Sequence, residues 1–371
     1  MPPINKRLAA FGFRSIPPIE GCAGADKFAE ELFTRLVKKG FEVTAYNRLY
    51  EGQTVNGNSY KGIKLIYLKT TKRKGFDTLL HSFKSTVHII WHNTGDVVHI
   101  QNGGNSIWAL FLRLSGKKVF VSQDGVDWKR DKWPWYGKLY LYLSAVITAY
   151  LPNRAIFDNV FVKEIFEKKF QKKFDFIPFG SEVTTNPDSS DILYRLGLKP
   201  GEYFLFVGRF IPDKGLQYLV PAFEQIKTSK KLVLVGGSPN PSKFERTITA
   251  TTDKRIFFPG YIYGVDSNAL MKNAYAYIQP SDVEGLSPVI LENMGLGTPV
   301  ICSDIRENRY VVGDTALTFK HGDTNDLKRI LKIALEDPNN LSRNAAKAKT
   351  RACDNFSWDV VTDKHIELFV A

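Results

Sequence analysis

Residues 279–300 read Gln-Pro-Ser-Asp-Val-Glu-Gly-Leu-Ser-Pro-Val-Ile-Leu-Glu-Asn-Met-Gly-Leu-Gly-Thr-Pro-Val. The pattern predicts a strand ending at Pro280, a loop carrying Glu284 and Gly285, and a helix starting near Ser287. Ser287 suits an N-cap, because its hydroxyl can accept from an N–H of the first turn. Pro288 suits the first helical position, where no N–H is needed, and Gly297 suits the stop. A helix start offers unpaired N–H groups and partial positive charge, a seat for a diphosphate. Glu284 stands before the helix and Glu292 inside its second turn, and carboxylates accept hydrogen bonds from vicinal hydroxyls. Taken alone, the pair reads better as ordinary capping or surface charge.

The stretches around it change that reading. Short β-rich runs at 203–207, 232–235, 256–258, 276–278 and 300–302 alternate with helical patterns, as in a parallel sheet with crossover helices. In such sheets ligands gather at the carboxyl ends of the strands. Gly208 and Arg209 end one run, and Lys214 follows five residues after Arg209. A guanidinium fork and a mobile ammonium are the cations that a pyrophosphate leaving group requires. Fixed cations stabilise the charge that gathers on such a group without a metal.

The first half repeats the alternation, with strands expected at 8–12, 41–46, 64–68, 96–100, 118–122 and 174–177, and helices at 25–39, 105–115 and 136–150. Two sheets in 371 residues predict two α/β domains with a cleft between them. The polar segment 186–190 reads as the linker. Charge divides unevenly: residues 1–180 hold 28 Lys and Arg against 15 Asp and Glu, whereas 181–371 hold 23 of each. The excess suits an anionic membrane, a phosphorylated acceptor or a nucleic acid, and equally a merely soluble basic surface. Cys22, Cys302 and Cys353 match no metal-ligand spacing and read as reduced thiols of a cytoplasmic protein. The N-terminus lacks the apolar core of a signal peptide, and the longest apolar run, 139–151, is too short to span a bilayer.

The series FVGR, DKG, VGG, FPGY, PSDVEGLSPVILENMGLGTPVI and SDIRENR resembles the retaining glycosyltransferases of family four, whose E-x7-E motif matches Glu284 and Glu292. The resemblance implies a GT-B fold, two Rossmann-like doubly wound domains facing across a cleft. The expected domains are 1–182, completed by a terminal helix at 356–371, and 183–355. It implies Arg209 and Lys214 on the donor phosphates, Glu284 on sugar hydroxyls and Glu292 on the ribose. Backbone amides near Gly285, at Leu286, Ser287 and Val289, would hold the diphosphate or sugar, and Tyr261 and Ile262 would border the base. Gly208, Gly236 and Gly237 would let the chain pass close to the donor. Where the family shows a Gly-Gly pair, this chain has Ala23-Gly24, so only Gly24 carries over; a simple helix-start glycine is an equal reading.

The stretch Ser122-Gln-Asp-Gly-Val-Asp-Trp-Lys-Arg-Asp-Lys-Trp133 resembles a rhamnosyltransferase-like branch of bacterial surface-polysaccharide synthesis. Asp124 stands where many members have histidine. Its carboxylate is a candidate to accept the acceptor's proton or to steady the anomeric carbon, while a turn aspartate before Gly125 is the competing reading. His99 and Gln101 end a strand, and with Trp128 they are the acceptor-side candidates; core packing competes for each. The aromatic, basic segment 128–142 and the basic helix pattern 163–173 point to an anionic membrane surface. The implied reaction is hexosyl transfer from a nucleoside diphosphate sugar to a glycan or lipid-linked acceptor, with no cofactor and no metal. A non-hydrolysing nucleotide-sugar epimerase and a basic nucleic-acid binder are the rival readings. The nucleic-acid reading leaves the strand-end Arg, Lys and Glu unexplained.

Overall fold

The structure is a computed structural model that describes residues 6–18, 24–55, 57–73, 75–129, 133–181, 191–238 and 242–371. The linker segment 186–190, Cys22, Ala23, Arg130 and Lys132 lie outside the described residues. The chain divides into Met1–Phe179 with Trp358–Ala371, and Gly180–Ser357.

The first unit runs β1 (Arg7–Phe11), α1 (Gly24–Lys38), β2 (Glu42–Leu49), β3 (Ser59–Tyr60), β4 (Ile63–Lys69), α2 (Phe76–His92), β5 (Val97–Gln101), α3 (Ala109–Leu114), β6 (Lys118–Gln123), α4 (Trp135–Tyr150), β7 (Arg154–Phe157), α5 (Val160–Phe170) and β8 (Asp175–Phe176). Its sheet has the order β3-β4-β2-β1-β5-β6-β7-β8, parallel except for the short edge strand β3. Parallel strands are covered on both faces, which is why β1 and β5 are buried along nearly their whole length. The expected strands are present. β3 and β7 were not among the expected strands. The helix expected over 105–115 splits into a 3-10 turn, Gly103–Trp108, and α3. Two glycines and an asparagine disfavour an α start, and the Asn102 side chain accepts from Gly104 N–H to tighten the turn.

The second unit runs α6 (Ile192–Arg195), β9 (Tyr203–Arg209), α7 (Leu216–Glu224), β10 (Lys231–Gly237), α8 (Lys243–Thr249), β11 (Ile256–Gly260), α9 (Gly264–Asn273), β12 (Ala276–Gln279), α10 (Pro288–Leu296), β13 (Val300–Ser303), α11 (Arg306–Val312), β14 (Leu317–Phe319), α12 (Thr324–Glu336) and α13 (Pro338–Phe356). Its sheet is all parallel, in the order β11-β10-β9-β12-β13-β14. The chain starts in the middle, winds one way, then returns and winds the other, so a switch point falls between β9 and β12. One core cluster holds Phe204, Phe206 and Leu219, and a second holds Leu205, Ile290 and Met294. Alternate residues of β9 therefore bury on opposite faces of the sheet.

The last helix, α14 (Trp358–Val370), belongs to the first unit. Ser357 is extended between α13 and α14. Trp358, Val361, His365 and Phe369 are buried, with Phe369 against Phe120 and Phe41. Lys39 pairs with Asp363 at 2.8 Å, and Lys6 Nζ donates to the Phe369 and Val370 carbonyls.

Candidate functional site

The end of β12 and the start of α10 form as the 279–300 stretch predicts. Ser287 caps α10 by accepting from Ile290 N–H at 3.5 Å, Pro288 opens the helix, and Gly297 closes it at φ 78°. Ile290, Leu291 and Met294 anchor it in the core. The N–H groups of Leu286, Ser287 and Val289 meet no acceptor among the described residues. They form an orphan donor set at the positive end of the helix.

In front of it stands Glu284. Its Oε1 accepts from Lys214 Nζ at 2.5 Å, from Ser281 Oγ at 2.6 Å and from Gln279 Nε2. Its side chain is only 8% exposed, so the carboxylate depends on these donors. The Tyr277 hydroxyl in turn donates to Gln279 Oε1. Burial, then the charges of Glu284 and Glu292, hold that hydroxyl well above its ordinary pKa, so it stays protonated. Both glutamates therefore act on one buried tyrosine. Glu284 Oε2 has no donor among the described residues.

Lys214 reaches this position because its turn is stitched to the loop after β12. Asp282 N–H donates to the Asp213 carbonyl at 3.0 Å, and Tyr218 OH to Asp282 Oδ2 at 3.0 Å. Gly215, at φ 74°, would place a Cβ 1.8 Å from the Pro280 carbonyl oxygen, so no other residue permits this approach. Ser303 Oγ donates to the Ser281 carbonyl at 2.5 Å, and Asn308 Nδ2 donates to Ser303 Oγ at 2.9 Å.

Arg209 ends β9, exposed, beside Gly237 in register. Tyr261 is close enough to feel its charge and that of Glu245. Tyr261 and Tyr263 lie parallel, with centroids 5.9 Å apart and 4° between planes, and Ile262 between them packs on the core. The stacked rings are a flat, exposed aromatic platform. Gly208 and Gly236 pair in register, and a Cβ on Gly236, at φ 132°, would fall 1.8 Å from the Gly208 carbonyl oxygen. Close approach between strands accounts for Gly236, where the sequence reading invoked the ligand. A Cβ on Gly237 would meet Glu245 Oε1 at 3.3 Å.

Gln279, Ser281, Gly215, Tyr218, Asp282 and Tyr263 were missed in the sequence. Gln279, Ser281 and Gly215 sit at strand and turn ends, and that position was the available signal. Nothing local marks Tyr218.

In the first unit two expectations are corrected, for His99 and Trp128. His99 is fully buried between the rings of Phe33, Phe369 and His365, with Nε2 bonded to Ser122 Oγ at 2.7 Å. Burial, with the neighbouring His365, pushes it down to about 3, so it is a neutral core residue. Trp128 is half-buried and packs on Phe166 and Tyr142, against the core cluster of α4 and α5. Gln101 is also buried; its backbone carbonyl accepts from Asn105 Nδ2 at 2.9 Å, holding the turn after β5, while its side-chain Oε1 meets no donor among the described residues. A Cβ on Gly24 would meet nothing within 4 Å, so packing does not demand glycine there.

Asp124 follows β6 and is exposed. Burial, with the charge of Asp124 adding to it, pushes the Asp158 carboxyl well above the usual carboxylate range. A cavity of about 690 Å³ opens at the carboxyl ends of β1 and β5, the first sheet's own switch point. Gly12, Arg14, Asp26, Arg48, Asp77 and Trp133 line it. Asp26 Oδ1 accepts from the N–H groups of Arg14 at 2.6 Å and Ser15 at 3.3 Å. Arg48 pairs with Asp77 at 2.8 Å.

Two doubly wound sheets, each with its polar residues at the switch point, define the class of the fold as GT-B. Residues 195–351, most of the second unit, match the family model described as Glycosyl transferases group 1. Sucrose-phosphate synthase from Thermosynechococcus elongatus superposes with a TM-score of 0.81 at 20% identity, covering 98% of each chain. Anabaena HepE, solved in complex with UDP-glucose, gives 0.76 at 15% identity over 98% of this chain and 99% of that one. Escherichia coli O-antigen chain mannosyltransferase B is 27% identical over 188 residues, 48% of each protein. The chain spans about half the length of the curated relatives it matches first, 48% and 51% of theirs.

Proposed function

We propose that this chain is a metal-independent, retaining glycosyltransferase that moves a hexosyl group from a nucleoside diphosphate sugar to an acceptor hydroxyl. One observation carries the reading: Lys214 and Glu284, from turns after neighbouring strands, meet at 2.5 Å before the orphan N–H groups of α10. The diphosphate sits on those N–H groups, with Arg209 and Lys214 as its cations. Lys214 exchanges its contact with Glu284 for one with phosphate, and Glu284 then takes sugar hydroxyls. Glu292 takes the ribose. The base lies on the Tyr261 and Tyr263 platform, beside Ile262.

In the transfer, the bond from the anomeric carbon to the diphosphate breaks and its electron pair leaves with the phosphate. The acceptor oxygen bonds that carbon on the same face, and its proton passes to the leaving phosphate oxygen. Fixed cations lower the barrier by holding the charge that develops there. Asp124 is the first unit's candidate for steadying the reacting carbon. The acceptor enters the cavity lined by Arg14 and Arg48, and is a lipid-linked or growing glycan at an anionic inner-membrane surface of the cytoplasm. No cofactor besides the donor is used.

For the sugar, dTDP-rhamnose is the first trial. UDP- and GDP-sugars stand close behind; the HepE complex with UDP-glucose supports a UDP-sugar, and the mannosyltransferase relative supports a hexose. A thermal-shift panel of UDP, GDP and dTDP sugars, followed by transfer to lipid-linked sugars with analysis of the anomer, tests the reading. Stabilisation by one donor and an acceptor-dependent product of retained configuration are expected. Free epimerised donor without acceptor, or no donor binding at all, would overturn it.

A further inference from the structure

The helices on one face of the first sheet are inside out. α2 buries His81, Ser82, Ser85, Thr86 and Ile89, mostly small or polar. It exposes Phe83, Val87, Ile90 and Trp91, which share a stripe at i, i+4, i+7 and i+8. α4 repeats the inversion: Ser144, Ala145, Thr148 and Ala149 face inward, while Trp135, Tyr136, Leu139, Leu143 and Tyr150 face out. α3, between them, exposes Leu110, Phe111 and Leu114. The three helices pack on one core cluster through Ile89, Leu112 and Ile147. The Phe83, Trp108 and Phe111 rings, with centroids 5.2 and 6.2 Å apart, join the outer surfaces of α2 and α3. Trp91 is 82% exposed, Leu114 77% and Trp135 76%. A soluble monomer rarely leaves so extended an apolar face in water.

The charge around this face selects its occupant. Across α2, α3 and α4 one acidic residue occurs, Asp77, and it is paired with Arg48. α5 spends its apolar side on the core, through Val162, Phe166 and Phe170, so the basic helix read in the sequence is not itself an amphipathic membrane helix. It supplies cations instead. Lys169 lies over the Tyr142 ring at 4.8 Å, and Lys172 of the following turn lies over the Tyr150 ring at 5.7 Å. Lys173 is almost fully exposed and pairs with Glu167 at 3.6 Å. A second copy of the chain would bring like charge against like charge, whereas an anionic bilayer offers both hydrocarbon and countercharge. No described helix is long and apolar enough to cross a membrane.

We propose that the outer face of α2, α3 and α4 docks on an anionic lipid bilayer, with its aromatic and leucine side chains in the interface and the α5 lysines on the headgroups. This gives a place to the membrane surface named in the proposed function and rests on that part of it; the donor chemistry is independent. The cavity opens at one end of the face: Gly75 and Trp133 line it, one or two residues from exposed Phe76 and Trp135. An acceptor rising from the bilayer therefore has a short path.

Co-sedimentation with vesicles of phosphatidylcholine alone, and mixed with phosphatidylglycerol, tests the proposal on the full chain. Binding to the mixed vesicles, weakened by salt and accompanied by a blue shift of tryptophan emission, is expected. The triple variant Trp91→Glu, Leu114→Glu, Leu143→Glu changes only exposed positions and is expected to bind roughly tenfold weaker or less still. Its melting temperature and its shift with nucleotide sugar are expected to stay at the wild-type values. Wild-type protein that ignores both vesicles, a variant that binds as well as wild type, or a dimer broken by the variant without vesicle binding would each overturn it. Loss of donor binding with vesicle binding intact would instead sink the transfer reaction and leave this face standing.

Discussion

The two units are built on one plan and finished differently. Both sheets wind outward from a central strand and reverse, so each has a switch point with polar residues gathered at it. In the second unit that point is closed by short hydrogen bonds among Lys214, Glu284, Ser281 and Gln279, and α10 buries its apolar side. In the first, the equivalent point is an open cavity, and α2 and α4 turn their apolar sides to the outside. The same fold can therefore hold a small, highly charged ligand rigidly in one half and offer a broad surface in the other. What differs is the side chains at the strand ends and on the helix faces, while strand order is shared.

The contrast can be broken most directly at Lys214. Lys214→Ala is expected to lower turnover by roughly 10²–10³-fold, measured as kcat with saturating donor. The fold is expected to persist, because Glu284 retains Ser281 and Gln279. Wild-type turnover would remove the second unit's claim to be the rigid, charged half. Gly236→Ala tests whether that half depends on backbone contact. A Cβ 1.8 Å from the Gly208 carbonyl at φ 132° is expected to destabilise the second unit by about 3 kcal/mol. Chemical denaturation, with hydrogen exchange assigning the loss to Gly180–Ser357, measures it.

Acid sharpens the comparison. His81, His99 and His365 all lie buried in the first unit, pushed down to about 3, 3 and 4, chiefly by burial. The unfolded chain takes up protons on these rings below about pH 6.5, where the folded chain does not. Stability from these groups is therefore present above that value and falls as pH drops toward 4. Hydrogen exchange across that window is expected to show the first unit losing protection ahead of the second. A smaller effect of opposite sign belongs to Asp158, whose carboxyl is held high by burial and Asp124. Its stability contribution is present at low pH and lost as pH rises above the ordinary carboxylate range. Asp158→Asn, which mimics the protonated form, is expected to melt a few degrees above wild type at pH 8 and level with it at pH 4. Equal melting at both values would show that Asp158 ionises freely.

Much of the second unit was legible in the chain because its signals are local. Ser287, Pro288 and Gly297 set the ends of α10 through their own backbone preferences, and short apolar runs marked the strands. β7 and β14 carry only short apolar stretches beside charged or polar residues and were not read as strands. His99 misled because a residue at a strand end looks alike whether it faces solvent or core, and Trp128, in the turn after β6, because the rings of α4 and α5 that claim it are not visible locally. The rings packed over such a residue decide which, and for His99 two of these, His365 and Phe369, come from α14, more than two hundred residues away.

Amino-acid order by itself determined the alternation of strands and helices, the caps of α10, the placing of cations and carboxylates at strand ends, and the basic bias of the first 180 residues. These follow from φ/ψ preference, hydrophobic period and charge count, which act over a few residues or none. Only tertiary structure decided that Lys214 meets Glu284, that Gly236 and Gly215 answer to neighbouring carbonyls, that His99 is a neutral core residue, and that α2 and α4 carry their apolar sides outward. Each of those depends on which surface another part of the chain covers, and burial is a property of the packed whole.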